Sequence, residues 1–116
     1  MPRRPRIAFS VLSLVYSLAV IATAGPSNAG DVKAGRQKAL QCQTCHGLDG
    51  EAKLPEAPNL AGQTEVYLIK SLQDYRAGAR KNDMMSIVAA DLKDQDIADL
   101  AAYYAAIPFT VGPPPK

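Results

Sequence analysis

The stretch Cys42-Gln43-Thr44-Cys45-His46 contains both cysteines and the one histidine of the 116-residue chain. Two thiols separated by two residues and followed directly by an imidazole match the spacing of covalent haem attachment. Cys42 and Cys45 can each add to a vinyl group of one porphyrin, and His46 is then placed to ligate its iron. The sequence therefore predicts one covalently bound haem c, with Cys42 and Cys45 binding the porphyrin and His46 binding the metal.

Three other uses of the two cysteines fit the sequence less well. A zinc site needs four ligands, and the chain has no further Cys or His. A redox-active C-x-x-C pair normally lies where a strand meets a helix, and no strand pattern occurs here. A structural disulfide suits an exported protein, but it leaves the histidine directly after Cys45 unexplained. Haem attachment accounts for all three side chains.

The second axial ligand of the iron is not fixed by this stretch. With no other histidine, methionine is the expected soft donor. Met84 and Met85 are the candidates, and they stand about forty residues after His46. Methionine in a small helical protein is ordinarily core filler, but these two are predicted to lie in a linker between helices. A loop there could return to the opposite face of the haem.

Residues 1–29 have the pattern of a secretory signal peptide. Three arginines lie within the first six residues, an apolar run covers Ile7–Ala24, and small residues follow up to Ala29. We expect cleavage after Ala29, with Ala24 as the alternative. The apolar run just reaches the length that spans a bilayer, so a retained anchor is the other interpretation, and only then is membrane contact expected.

The charge balance gives no support for nucleic-acid binding. The chain has 13 Lys and Arg against 11 Asp and Glu, a net charge of +2. Because three of the arginines lie in residues 1–29, the remaining chain has 10 basic against 11 acidic residues, a net charge of −1. It has no basic stripe and no tryptophan, and nucleic acid is therefore excluded as a partner.

Helical patterns predict an all-α domain over residues 30–108. Asp31 and Thr64 are expected to cap the first two long helices, Gly78 to end the second, and the cysteines to lie on the last turn of the first. The predicted helical segments are Val32–Gln41, Glu65–Ala77, Ile87–Ala90 and Asp94–Ile107. The residues expected on apolar faces at helical spacing are Val66, Ile69 and Leu72 in one helix and Ile97, Leu100, Ala101 and Tyr104 in another.

The remaining segments are predicted to be irregular. Glycines and prolines between Gly47 and Gly62 indicate a loop that wraps around one side of the haem. A linker, Gly78–Asp83, leads to the two methionines. The Pro-rich tail, residues 109–116, is expected to be extended or disordered.

Four segments carry a resemblance to a known family: CQTCHGLDG, APNLAGQ, TEVYLIKSLQDYRAGARKNDMM and DQDIADLAAYYA. Over nearly all of residues 30–107 the chain resembles a bacterial class I cytochrome c. It is most similar to a single haem domain of the periplasmic two-haem cytochromes c and to their short single-haem relatives. The resemblance implies three main helices and shorter helical pieces around one haem. It also implies a periplasmic location.

The resemblance further implies roles for particular residues. His46 would be the proximal ligand, and Met85 would be the distal ligand because it stands seven residues before Leu92; Met84 is the alternative. The backbone carbonyl of Pro58 would accept the Nδ1–H of His46 and so orient the ring. The resemblance also implies a contact between Gly35 and Tyr104. The chain departs from the family at Lys93, where relatives often have a serine that caps the last helix. Lysine cannot cap in that way, so Asp94 is expected to take over the cap. The possible haem-propionate partners are Arg76, Arg80, Lys81, Tyr67 and Tyr75, although a solvated surface role is the simpler interpretation of each.

A haem iron with His and Met ligands has no vacant position, so one-electron exchange is the expected chemistry. The sequence thus predicts a periplasmic electron carrier and not an enzyme, with redox partner proteins that dock transiently at the haem edge. The alternative is the electron-accepting cytochrome subunit of a periplasmic dehydrogenase, for example one that oxidises sulfur compounds. A peroxidase-like enzyme would need an open or labile distal site.

Overall fold

The computed structural model describes residues 1–2 and 29–116, and within them it is helical with no strand. The predicted signal peptide lies almost entirely outside the described residues. The helices are α1 (Val32–Lys38), a 3₁₀ turn (Ala39–Gln41), α2 (Gln43–His46), α3 (Glu65–Ala77), α4 (Asp83–Ala89) and α5 (Asp94–Ala105). The all-α prediction is confirmed.

The first helix begins and ends close to where the sequence predicts. A side-chain oxygen of Asp31 accepts a hydrogen bond from the backbone N–H of Ala34 and caps α1. The α-helix ends at Lys38, and the chain tightens into the 3₁₀ turn up to Gln41, as helix C-termini often do. This tightening directs the chain into the segment that carries the cysteines.

Helix α3 is capped as predicted, but its buried face differs from the predicted one. Thr64 Oγ1 accepts the Tyr67 N–H, and Gly78 ends the helix with a left-handed φ of 75°. Val66 is 78 % exposed, whereas Leu68 is 6 % exposed. The expectation that Val66 belongs to the buried face is wrong, because Leu68 and Leu72 at i and i+4 form the apolar stripe that faces the domain interior.

Helix α5 forms the core of the domain. Its predicted apolar face is confirmed, since the four residues are 1–2 % exposed: Ile97, Leu100, Ala101 and Tyr104. The helix packs against both α1 and α3. It ends at Ala105, two residues before the predicted end, because Pro108 follows closely.

The close approach of α1 to α5 occurs at Gly35. A Cβ at this position would overlap the backbone oxygen of Asp99 and lie 2.7 Å from the Tyr103 Cβ. The neighbours of Gly35 are therefore Asp99 and Tyr103, and the predicted contact with Tyr104 is wrong by one position. The Tyr104 side chain instead turns towards the loop after His46.

The cap of α5 also differs from the prediction. Lys93 occupies the N-cap position, and the Asp96 carboxylate accepts a hydrogen bond from the Lys93 backbone N–H across 2.9 Å. Lysine has no acceptor, so only this half of a capping box is possible. The expectation that Asp94 takes over the cap is wrong, because Asp94 is already the first helical residue and pairs with Arg76.

One buried carboxylate joins α1 to α5. Asp99 is 3 % exposed, and it accepts hydrogen bonds from the Asp31 backbone N–H, Lys38 Nζ and Gln95 Nε2. Burial alone would raise the pKa of Asp99, but these hydrogen bonds outweigh it and hold that pKa below its ordinary value.

The C-terminal segment contains no helix or strand after Ile107. The Phe109 side chain lies against Gly62, where an added Cβ would be 3.2 Å from the ring carbon Cγ. This contact joins the start of the tail to the end of the long loop. None of the helices in residues 1–2 and 29–116 combines the length and apolar character needed to cross a bilayer.

Candidate functional site

The cysteine stretch lies at the junction of the 3₁₀ turn and α2. Cys42 precedes α2, while Cys45 and His46 lie within this four-residue helix. The prediction that the cysteines occupy the last turn of the first helix is therefore wrong in detail, because the chain turns into a separate helix after Gln41. The two thiols form no disulfide and both are partly exposed.

His46 has a fixed orientation. The ring is 7 % exposed, and its Nδ1 lies 2.8 Å from the backbone oxygen of Pro58. A carbonyl oxygen only accepts hydrogen bonds, so Nδ1 carries the donated proton, and in the neutral imidazole Nε2 is then the nitrogen with the lone pair. This is the arrangement expected from the family resemblance for an imidazole that binds iron.

Two tyrosines of α5 hold the chain directly after His46. The Tyr104 hydroxyl donates to the backbone oxygen of Gly47 across 3.1 Å, and the Tyr103 hydroxyl donates to that of Leu48 across 2.6 Å. The sequence predicts Tyr104 only as part of the apolar face of its helix and assigns no role to Tyr103, and no sequence pattern indicates the hydrogen bonds. These hydrogen bonds fix the start of the loop that brings the Pro58 carbonyl to Nδ1 of His46.

The methionine pair lies in the first turn of α4, not in a linker. Asn82 caps this helix, and its Oδ1 accepts the backbone N–H groups of Met84 and Met85 across 3.1 and 2.9 Å. The placement of both methionines in the linker is wrong, because the asparagine starts the helix before them. An Asn followed by an acidic residue is a recognisable N-terminal signal, so this cap could have been found in the sequence.

These side chains meet at one cleft that is partly open to solvent. Cys42, Cys45, His46 and Pro58 line it from one part of the chain, and Met84 and Met85 line it from another. The rest of the lining is mainly apolar or aromatic and comes from the long loop and from α3, α4 and α5: Leu60, Tyr67, Leu68, Leu72, Tyr75, Val88, Leu92, Leu100, Ala101 and Tyr104.

The interior of the cleft is poorly hydrated where Cys42 lies. Burial, and secondarily the charge of Cys45, raise the pKa of the Cys42 thiol to about 11. Burial likewise raises the pKa of Tyr104. Both groups are therefore neutral near pH 7, as expected for side chains around a large apolar ligand.

The residues present fit a covalently attached haem. The cleft is apolar, two unpaired thiols and an imidazole with a free Nε2 border it, and no group of three His, Cys, Asp or Glu side chains in the described part of the chain is arranged as a metal site. Cys42 and Cys45 would hold the porphyrin and His46 would bind the iron. Fold and site together define a small all-α protein that binds haem c.

A sequence profile of the cytochrome c family matches residues 32–106. The chain belongs to this family. Its membership establishes covalent haem c as the cofactor and supports an electron-carrier cytochrome rather than an enzyme.

The relatives include both larger and equally short proteins. The chain is 46 % identical over 84 residues to cytochrome c4 of Pseudomonas aeruginosa, covering 72 % of this chain and 42 % of that protein. It is 47 % identical over 81 residues to cytochrome c-554(548) of Halomonas halodenitrificans, covering 67 % of this chain and 98 % of that protein. A more distant relative is a thiosulfate dehydrogenase electron acceptor of Stutzerimonas stutzeri, 41 % identical over 60 % of this chain and 33 % of that protein.

The fold is similar to that of a solved cytochrome c4. The crystal structure of the reduced recombinant protein from Pseudomonas stutzeri superposes with a TM-score of 0.66 at 43 % identity, covering 72 % of this chain and 49 % of that one. The present chain thus spans about half the length of the cytochrome c4 relatives it matches. The class I cytochrome c fold expected from the sequence is confirmed.

Proposed function

We propose that this protein is a periplasmic one-electron carrier whose haem iron is bound by His46 and Met85. When bound, the haem supplies an iron that passes between Fe(III) and Fe(II) by losing or gaining one electron. The observation that carries the proposal is the meeting of Cys42, Cys45 and His46 with a methionine-bearing helix at one apolar cleft.

Met85 is the better candidate of the methionine pair. Both side chains line the cleft, but Met84 is 62 % exposed, whereas Met85 is only partly exposed. A soft thioether ligand benefits from exclusion of water. Exposure therefore supports the same residue that the spacing to Leu92 favours.

The protein side chains would serve electron exchange by keeping the ligands fixed. The Pro58 carbonyl fixes the His46 ring, and Asn82 fixes the helical turn that carries Met85. Ligands that change position little between the two iron states lower the reorganisation energy of each electron transfer. With both His46 and Met85 as ligands, the iron would have no position left for a substrate.

The test is to replace each methionine by alanine in the haem-loaded protein. We expect Met85→Ala to abolish the absorption of oxidised iron bound to methionine sulfur and to lower the midpoint potential, with rapid carbon monoxide binding to the reduced form. Met84→Ala is the matched control and should leave the spectra unchanged. Unchanged spectra in Met85→Ala, or rapid carbon monoxide binding by the unaltered protein, would contradict the ligand set.

The periplasmic location rests on the predicted signal peptide and on the chemistry of haem attachment outside the cytoplasm. Expression with the full N-terminal segment, followed by cell fractionation and N-terminal sequencing, tests it. A haem-bearing chain that starts at Gly30 in the periplasmic fraction supports cleavage after Ala29. A chain that keeps residue 1 and sediments with membranes supports the retained anchor instead.

A second candidate function is that of an electron-accepting partner of a periplasmic dehydrogenase. The similarity to a thiosulfate dehydrogenase electron acceptor favours it, although that match covers less of this chain than the matches to cytochrome c4 do. Purification of the native protein under mild conditions distinguishes the two functions. Retention of a dehydrogenase subunit through gel filtration supports the second, and elution as a free small protein supports the first.

A further inference from the structure

One charged side chain lines the otherwise uncharged cleft. Among the described residues around it, Arg80 is the one with a permanent charge; the other polar members are His46, Gln41, Ser71 and three tyrosines. A guanidinium remains protonated at any physiological pH. Arg80 is exposed to solvent, so its charge is hydrated, and its position at the border of the cleft lets it meet an anion bound inside.

Arg80 is held in place by neutral groups. Its guanidinium carbon lies 4.7 Å from the centre of the Tyr75 ring, a cation–π arrangement. Its Nη1 donates to Ser71 Oγ across 3.4 Å. The pKa of the Tyr67 phenol is lowered because the Arg80 guanidinium is close enough to hydrogen-bond to it.

These contacts orient the guanidinium but do not neutralise it. Between described residues, the ion pairs involve Lys38, Lys53, Lys70 and Arg76, and none involves Arg80. Arg76, four residues earlier in the chain, already has partners for its guanidinium, because it donates to the Leu92 carbonyl and pairs with Asp94. Lys81 is exposed and does not line the cleft.

The cofactor that the cleft accepts carries negative charge that would pair with the Arg80 guanidinium. A haem has two propionates, and the porphyrin itself presents no other anionic substituent. Arginine binds carboxylates through two parallel hydrogen bonds when its plane is fixed beforehand. Stacking on Tyr75 supplies that fixed plane.

We propose that Arg80 binds a haem propionate, with Tyr75 and Ser71 orienting its guanidinium and the Tyr67 hydroxyl beside it. Of the five side chains considered as propionate partners from the sequence, the structure thus selects Arg80 and leaves Arg76 and Lys81 outside the site. This inference rests on covalent haem attachment at Cys42 and Cys45. It adds to that site a residue that would hold a propionate and compensate its negative charge.

A fixed cation near the haem disfavours the oxidised iron, which carries one more positive charge than the reduced iron. We expect Arg80→Gln to shift the equilibrium with a reference redox couple about tenfold towards the oxidised form. This corresponds to a fall of about 59 mV in midpoint potential for one electron. Arg80→Lys keeps the charge and should retain most of the potential. Arg76→Gln, which removes the same type of charge from the Asp94 pair, should change the equilibrium less than twofold.

A second measurement separates propionate binding from a structural role. The propionate bending modes in the resonance Raman spectrum should shift in Arg80→Gln and remain in place in Arg76→Gln. If Arg80→Gln lowers only the melting temperature, with unchanged potential and unchanged propionate modes, the guanidinium is merely a structural link and the proposal is wrong. If the unaltered protein lacks covalent haem, the proposed function itself fails, which is a different outcome.

Discussion

The carboxylate of Asp99 in α5 accepts a hydrogen bond from the backbone N–H of Asp31 across 2.8 Å. The two residues lie 68 positions apart in the sequence, and the bond joins the residue that caps α1 to the middle of α5. Lys38 and Gln95 donate to the same carboxylate. The packing of the first helix on the last therefore depends on one buried acidic side chain.

Replacing Asp99 should destabilise the folded protein. Asp99→Ala leaves the Asp31 N–H without its acceptor. Gln95 keeps the backbone oxygen of Ala29 as an acceptor, and Lys38, about a third exposed, keeps Asp96 and water. We expect a loss of about 2–3 kcal/mol in the free energy of unfolding, below the full cost of an uncompensated buried charge. Urea unfolding of the haem-loaded protein measures it. Asp74→Ala, which removes a pair with the exposed Lys70, should cost less than about 1 kcal/mol.

The same carboxylate gives a signature at acid pH. The pKa values of Asp96 and Asp99 lie below the ordinary value of 3.8, Asp96 mainly through its hydrogen bond from Lys38. A carboxylate whose pKa is lowered by folding stabilises the protein above its unfolded pKa, and this stabilisation is lost as the pH falls through the lower folded value. The difference in melting temperature between wild type and Asp99→Asn should thus be constant from about pH 8 to 5 and decrease below about pH 4.

A constant difference down to the lowest pH would show that Asp99 does not act through its charge. Asp74→Asn is the control for this titration, because its partner Lys70 is well exposed. Its melting temperature should follow that of the wild type at every pH.

Gly35 should tolerate no side chain. In Gly35→Ala the added Cβ overlaps the Asp99 backbone oxygen, so α1 has to move away from α5. We expect a loss of about 1–3 kcal/mol, typical of overpacking in a close contact. Gly112→Ala is the matched control, since nothing lies within 4 Å of the added Cβ there. Equal melting temperatures for the two variants would contradict the close approach of the helices.

The Asn82 cap should affect Met85, the proposed second ligand of the iron. Asn82→Ala removes the acceptor for the backbone N–H groups of Met84 and Met85 and should cost about 1 kcal/mol of local stability. Because Met85 lies in this turn, we expect its absorption signature in the oxidised protein to disappear at a lower temperature than in the wild type.

Asn82→Asp keeps the acceptor oxygens and is the conservative control for this experiment. It should retain the methionine signature up to the wild-type temperature. Loss of the signature at the same temperature in wild type and Asn82→Ala would mean that the cap does not support the ligand.

Local patterns predict the helices of this protein well and their contacts less well. Helical periodicity and capping residues such as Asp31 and Thr64 depend on neighbours within one turn, so the sequence contains them directly. The contact of Gly35 with Asp99 and Tyr103 depends on how α1 is rotated over α5. A rotation of one position changes the partner, and no local rule fixes it.

The site shows the same limit. The spacing of Cys42, Cys45 and His46 is a chemical requirement within five residues, and it is visible in the sequence alone. The hydrogen bonds of Tyr103 and Tyr104 to backbone oxygens, and the position of Arg80 at the border of the cleft, arise only when separate segments meet. Backbone acceptors carry no residue signature, so reasoning from residue types does not find them.

The bond from His46 to the Pro58 carbonyl has a consequence for genetic analysis. The acceptor is a main-chain oxygen, which every amino acid possesses, so no codon change at position 58 deletes it. A screen of all amino acids at position 58, scored by the colour of the haem-loaded protein, should therefore find substitutions tolerated whenever the backbone keeps its conformation there. Damaging substitutions should instead appear at residues that fix this backbone conformation. Among them are Tyr103 and Tyr104, which donate hydrogen bonds to the backbone oxygens of Leu48 and Gly47.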